Sequence, residues 1–258
     1  MKPRVAVHKF SSCDGCQLAF LNLGEDLLAL AELVDIRHFV EAGLADEDAQ
    51  VDIAFVEGSV STSEDAARLA RIRANSGYLV TIGACATAGG LQALRNLHNT
   101  KDWTTAIYAS PQYIDSLDQV TPIRAVVEVD LELWGCPVNG RQLVAAVQQL
   151  LFGVAPLAQQ DKLCLDCKRG GNVCVVVSRG EPCLGPVTHT GCGALCPKFG
   201  RACYGCYGPV PDGNTEALAE CFAGLGLAPD AVARRFGLIT STAEPFATTS
   251  ARWREKAT

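Results

Sequence analysis

Between residues 164 and 206 the chain reads CLDCKRGGNVCVVVSRGEPCLGPVTHTGCGALCPKFGRACYGC, and eight of these 43 residues are cysteine. Eight glycines and three prolines suit tight turns rather than long elements, and no helix is recognisable in the segment. Such a stretch buries too little apolar surface to offset the entropy of ordering it. Metal coordination can offset it, because binding free energy becomes folding free energy. The spacing reads as two groups of four: Cys164, Cys167, Cys174 and Cys183, then Cys192, Cys196, Cys203 and Cys206. Five Lys or Arg against two acidic residues would partly balance thiolate-ligated clusters, although the whole chain carries a formal charge of −6.

The other cysteines are spread differently. The first 153 residues hold four of the 13, and this composition shift sets an expected boundary between domains 1–153 and 154–258, with the linker GVAPLAQQD at 153–161. With 48% apolar residues the chain can form a core without disulfides. The N-terminus, MKPRVAVHKFSSCDGC, has no apolar signal core, and no run of about 18 apolar residues occurs, so no membrane span is expected. A cytoplasmic location follows as the expectation, and there 13 cysteines suggest metal or redox work. No basic stripe points to nucleic acid and no polybasic patch to lipid.

Strand and helix signals alternate in the first domain. RVAVHKF (4–10), VDIRHFV (34–40), DIAFVEG (52–58), YLVTIGAC (78–85) and VVEVDLELWGC (126–136) read as strands. Residues 18–33, 63–76 (with Ser63 as N-cap) and 140–153 read as helices. That order implies an α/β fold with a mainly parallel sheet covered on both faces. Cys13 and Cys16 follow the first strand, and Cys85 and Cys136 end two others. All four belong to the carboxyl edge, where α/β sheets place ligands, and four thiolates meeting there make a 4Fe–4S site. Gly15, Gly83 and Gly135 would let backbone approach it.

Blander readings stand beside this one. Cys13-x-x-Cys16 also suits a thioredoxin-type dithiol, and the C-terminal CxxC pairs suit zinc. Cys221 reads as a buried core thiol at helical spacing with Leu218, Phe222 and Leu225. His189 is a weaker ligand candidate than the thiols around it. Glu57, in VEGS, is either a solvated loop carboxylate or a proton-relay acid beside the cluster. The tail from 215 reads as helical before loosening into TTSARWREKAT.

The set SSCDGC, VEGSVS, GACATAGG, WGCP and the eight-cysteine segment resembles the small, electron-transferring subunit of NiFe hydrogenases, from about residue 4 to about residue 210. GEPCLGPVT and CYGC are similar to the cytoplasmic, multimeric branch that couples hydrogen to NAD(P) and includes the sulfhydrogenases; the branch serving heterodisulfide reductase is also similar. The resemblance implies a flavodoxin-like doubly wound domain followed by an irregular iron–sulfur domain, with three 4Fe–4S clusters. Cys13, Cys16, Cys85 and Cys136 would hold the proximal cluster. Cys192, Cys196, Cys203 and Cys206 would hold the medial one, and Cys164, Cys167, Cys174 and Cys183 the distal one. The nickel–iron centre would lie in a separate large subunit, and iron–sulfur and flavin subunits would hand electrons to NAD(P).

Two departures from periplasmic members stand out. Cys164 replaces their distal histidine, which adds negative charge and lowers the potential, and Cys196 supplies a fourth medial ligand. Gly15 and Gly90 occupy the positions of the extra cysteines of oxygen-tolerant relatives, so an ordinary proximal cubane is implied. The eight-cysteine segment argues against the related single-cluster subunit of respiratory NADH:quinone oxidoreductase, and the large α/β domain against a free-standing ferredoxin. A zinc-stabilised interaction module is the rival without redox function.

Overall fold

Short apolar strands alternating with helices do assemble into one sheet. In the computed structural model, which describes residues 2–156 and 161–257, the chain divides into two compact units at 157/158. Residues 157–160 of the expected linker lie outside the described residues.

The first unit runs β1 (Arg4–Lys9), α1 (Gly15–Leu21), α2 (Glu25–Leu33), β2 (Asp35–Phe39), β3 (Leu44–Ala45), β4 (Val51–Glu57), α3 (Ser63–Ala74), β5 (Ser76–Ile82), α4 (Gly83–Ala88), α5 (Thr100–Ile107), β6 (Leu131–Leu133) and α6 (Gly140–Leu151). The sheet order is β3-β2-β1-β4-β5-β6, parallel throughout except for the two-residue β3. Without β3 this is the flavodoxin order, whose switch point lies between β1 and β4. Side chains alternate across the sheet as a two-residue period demands. Ile53, Phe55, Val80 and Ile82 enter the core under α1 and α6, while Ala54, Val56 and Leu79 meet Leu69 and Ile72 of α3.

Several elements differ from the sequence expectation. The single helix over 18–33 is two helices, because Gly24 turns the chain at φ +61°. The cap of α3 is Thr62 rather than Ser63: its hydroxyl accepts from Asp65 N, and the Asp65 carboxylate accepts from Thr62 N, a reciprocal capping box. β5 ends at Ile82, so Cys85 lies in the first turn of α4. β6 keeps three of the eleven residues expected in 126–136.

On the α3 face two histidines share the core. His8 is 2% exposed and stacks on His38 with ring centroids 4.6 Å apart. Burial, then His38 and Arg68, push the His8 pKa down to about 3. Burial also lowers His38, against the opposing pull of Glu47 and Asp46. The unfolded chain binds these protons near pH 6.5, while folded His8 resists until about pH 3. Its contribution is therefore complete above about pH 6.5 and falls by about 1.4 kcal/mol per pH unit as acid is added. Urea melts between pH 7 and pH 4.5 are expected to show that slope, and His8→Phe to flatten it. Equal slopes would contradict the assignment.

The second unit contains α7 (Leu163–Arg169), α8 (Val175–Arg179), α9 (Leu195–Lys198), α10 (Thr215–Gly224), α11 (Pro229–Phe236) and α12 (Phe246–Glu255). The cysteine segment thus holds three short helices where none was expected. Nor does it fold on metal alone, because the chain's last helices give it a core. Leu163, Val175, Leu184 and Val187 pack with Phe222, Phe236, Phe246 and Trp253. Phe236 lies tilted against Phe222 at 5.9 Å and meets Phe246 edge-on at 5.7 Å. The tail expected to loosen is helical to Glu255, with Trp253 buried. Cys221, expected in the core, is exposed. It stands one position off the buried stripe of Thr215, Ala219 and Phe222.

Candidate metal centres

None of the 13 cysteines forms a disulfide. Twelve of them gather in two regions, four at the sheet edge of the first unit and eight in the second unit.

In the first unit, loops and first turns after β1, β5 and β6 bring Cys13, Cys16, Cys85 and Cys136 to the carboxyl edge of the sheet. Burial and neighbouring sulfurs raise three of these thiols. Burial first, and then Glu57, Cys85 and Cys136, raise the Cys16 thiol, while the Val138 N–H, 3.5 Å from its Sγ, opposes. Cys85 rises to about 11 through burial, helped by Cys136 and Cys13. Cys136 rises through burial and Cys13. The protein alone keeps the thiols of Cys16, Cys85 and Cys136 protonated, so thiolates here need a positive partner, which a metal core would provide as it displaces the protons.

Backbone geometry is shaped around the same sulfurs. Gly83 has φ +84°, and a Cβ on it would sit 2.3 Å from Cys16 Sγ; one on Gly15 would sit 3.4 Å from Cys13 Sγ. Ala84 N donates to Gly135 O at 2.7 Å, which ties the Cys85 turn to the Cys136 loop. Among the described residues, only Asp14 and Ala194 have positive φ without being glycine, at +65° and +55°. One lies between Cys13 and Cys16 and the other between Cys192 and Cys196. Strain of this kind persists where surroundings over-determine it, often at functional sites.

Glu57 is not a solvated loop residue. It closes β4 and is 2% exposed. Its carboxylate accepts from Cys16 N at 3.0 Å and Gln17 N at 3.2 Å, satisfying two orphan donors of α1. Burial raises its pKa, and these hydrogen bonds oppose the rise. Gln92, which sequence reasoning passes over, lies in the helical turn Leu91–Leu97 against Cys85.

In the second unit α7 carries Cys164 and Cys167, and Cys174 caps α8. Burial, then Cys183, Cys167 and Cys174, raise Cys164 to about 11. The four line one cavity together with Gly185 and Pro186, and a Cβ on Gly185 would lie 3.4 Å from Cys164 Sγ and 3.5 Å from Cys183 Sγ. Cys196 is raised by burial and Cys192; Cys203 is raised by burial, Cys183, Cys206 and Cys192. Cys183 stands where the two groups adjoin, and its Sγ receives Cys203 N at 3.2 Å. His189 turns its Nδ1 to Tyr207 O at 3.3 Å.

Among the described residues no three His, Cys, Asp or Glu side chains converge tightly enough for one metal ion. A zinc with bonds of about 2.3 Å needs its sulfurs within about 3.8 Å of one another. A four-iron cubane holds each thiolate on a different iron, so its ligands stand further apart. The donor chemistry and the glycine cradles fit such a group. A large cavity, lined by Arg4, Asp52, Tyr78 and Leu150, lies among residues at the amino ends of the strands, remote from the four cysteines of the carboxyl edge.

Comparison with known proteins places the chain in a family. Residues 13–150 match the family described as NADH ubiquinone oxidoreductase, 20 Kd subunit. Sulfhydrogenase 2 subunit delta of Pyrococcus furiosus is 34% identical over 217 residues, 84% of this chain and 91% of that protein. A subunit of the F420-non-reducing hydrogenase vhu of Methanococcus voltae is 26% identical, over 87% and 89% of the two chains. A chain of the NAD+-reducing [NiFe]-hydrogenase in its H2-reduced state superposes with a TM-score of 0.57 at 30% identity, over 61% of this chain and 96% of that one. The chain belongs to this family and, within it, to the small subunits of NiFe hydrogenases, which carry iron–sulfur clusters. No helix among the described residues is long and apolar enough to cross a membrane.

Proposed function

We propose that this chain is the electron wire of a NiFe hydrogenase, holding three 4Fe–4S clusters that carry single electrons between the nickel–iron site of a large subunit and an NAD(P)-linked reductase module. The observation that supports the reading is the gathering of Cys13, Cys16, Cys85 and Cys136 at one sheet edge and of Cys164, Cys167, Cys174 and Cys183 around one cavity that adjoins the remaining four. Cys13, Cys16, Cys85 and Cys136 hold the proximal cluster in a domain ending near residue 153. Cys192, Cys196, Cys203 and Cys206 hold the medial cluster, and Cys164, Cys167, Cys174 and Cys183 the distal one, in the domain from 154 onward.

The chain's own residues set the properties of each site. The backbone N–H of Val138 reaches Cys16 and favours its thiolate form, and the N–H of Cys203 donates to Cys183 Sγ at 3.2 Å. Glu57 fixes the first turn of α1 behind Cys16 and, being buried with a raised pKa, is the acid placed to exchange a proton beside the proximal site. Cys13 and Cys136 are exposed at the edge that a large subunit would cover. Val173 and Val177 flank Cys174 and are exposed, and Lys168 and Arg169 follow Cys167, a surface suited to an acidic iron–sulfur or flavin subunit. Thirteen cysteines without a disulfide suit the reducing cytoplasm.

A second reading keeps the wire and changes the acceptor to a heterodisulfide-reductase-linked module. The Methanococcus voltae relative, matched over 87% of this chain and not named for NAD, favours keeping it in view. The test uses the anaerobic native complex. Hydrogen is expected to reduce this chain's clusters, seen by electron paramagnetic resonance, and added NAD+ or NADP+ to reoxidise them. Reoxidation by a heterodisulfide alone would select the second reading; no reduction by hydrogen would overturn both.

A further inference from the structure

We propose that Gln92 is a positioning residue for the proximal cluster: its amide N–H donates to the Cys85 thiolate and raises the cluster's reduction potential. The inference rests on Cys85 being a cluster ligand, as read above.

The amide is oriented by its surroundings. Gln92 Nε2 donates to Ser11 O at 2.7 Å, and the same nitrogen lies 3.6 Å from Cys85 Sγ. Only the nitrogen of the amide can donate to a carbonyl, so the Ser11 contact decides which atom is which. An amide NH2 has two hydrogens. One serves Ser11, and the other is left for the sulfur. Ser11 itself is held in place. Its N–H and C=O pair with Ser59 at 3.2 and 2.9 Å, and Ser59 Oγ donates to the same carbonyl at 3.4 Å. Gln92 therefore joins the loop carrying Cys13, the loop after β4 and the turn carrying Cys85.

Room for the contact is kept open by Gly90. It has φ +62°, and a Cβ there would lie 2.6 Å from both Cys85 Sγ and Gln92 Oε1. Gln92 Oε1 is also 3.5 Å from the sulfur, a contact a neutral thiol can satisfy by donating. A metal-bound thiolate can only accept, so ligation turns the contact into N–H to sulfur. Hydrogen bonds to ligating sulfurs favour the reduced, more negative state and raise the potential. At Cys16 the donor is backbone Val138. At Cys85 it is a side chain, which substitution can remove.

The experiment is a redox titration of the native complex, followed by electron paramagnetic resonance. Cys85→Ser identifies the proximal signal by its loss. If that signal and all the iron survive Cys85→Ser, the ligand reading itself fails, whatever Gln92 does. With the signal identified, Gln92→Leu is expected to change the reduced-to-oxidised ratio at fixed potential about tenfold, a fall of about 59 mV for a one-electron couple. The other two clusters serve as internal standards and are expected to hold their potentials. Gln92→Lys restores a donor and adds a positive charge, so its potential is expected to lie above that of Gln92→Leu. Should Gln92→Leu fail to retain the cluster, Gln92→Lys is compared with the unchanged protein and is expected at or above it. An unchanged potential in Gln92→Leu, or a fall in Gln92→Lys equal to that in Gln92→Leu, overturns the proposal.

Discussion

Cys136→Ser is expected to cost the native complex about four iron atoms per chain and to lower hydrogen-linked electron flow at least about 100-fold. The reason is geometric. Cys136 raises and is raised by its neighbours at the carboxyl edge, and the first unit holds no fifth cysteine to replace it. Cys221 belongs to the second unit, on the exposed side of α10. Cys221→Ser is therefore expected to retain iron and activity. Iron analysis and hydrogen-dependent dye reduction on the two variants decide the matter. Equal iron loss in both would mean that the grouping of ligands is wrong.

Gly83→Ala is expected to be the most damaging substitution that touches no ligand. A left-handed conformation costs an alanine about 1–2 kcal/mol. Its Cβ would also fall 2.3 Å from Cys16 Sγ, on a side chain that α1 and Glu57 hold in place. Together these give a loss of at least about 3 kcal/mol and displacement of the Cys16 sulfur. Gly24→Ala is the control, since Gly24 has φ +61° but nothing within 4 Å of its would-be Cβ. It carries the conformational cost alone. Urea melts and iron retention separate the two; similar losses in both would show that the sulfur contact is unimportant.

The parallel sheet was legible because β4 and β5 are short apolar runs with both faces buried. β6 was overread. Asp130 begins the pairing, accepting Leu79 N at its carboxylate and donating its own N–H to Leu79 O, and Val126 through Val129 stay outside the ladder. The helix over 18–33 was overread for a different reason. Leucine spacing continues through Asn22, Leu23 and Gly24, and the spacing alone does not show where a glycine turns left-handed.

The candidate cysteines could be picked out by residue type and spacing. Their support could not. The exposed Cys221 looked buried because Leu218, Phe222 and Leu225 share its spacing, whereas the core stripe runs through Ala219 and Phe222. The role of the tail depends on Phe236, Phe246 and Trp253 packing against residues about 50–90 positions earlier, a pairing no local pattern announces. Gln92 reaches Ser11 across 81 residues, and that contact exists only once the sheet has formed.

As proposed, this chain is an iron–sulfur wire attached to a nickel–iron subunit. Iron, zinc and nickel, counted per copy of this chain in the complex purified without air, test it most directly. The account expects nickel near one, iron of about twelve or more and no zinc. Iron without nickel would detach the wire from hydrogen, and zinc in place of iron would contradict the account.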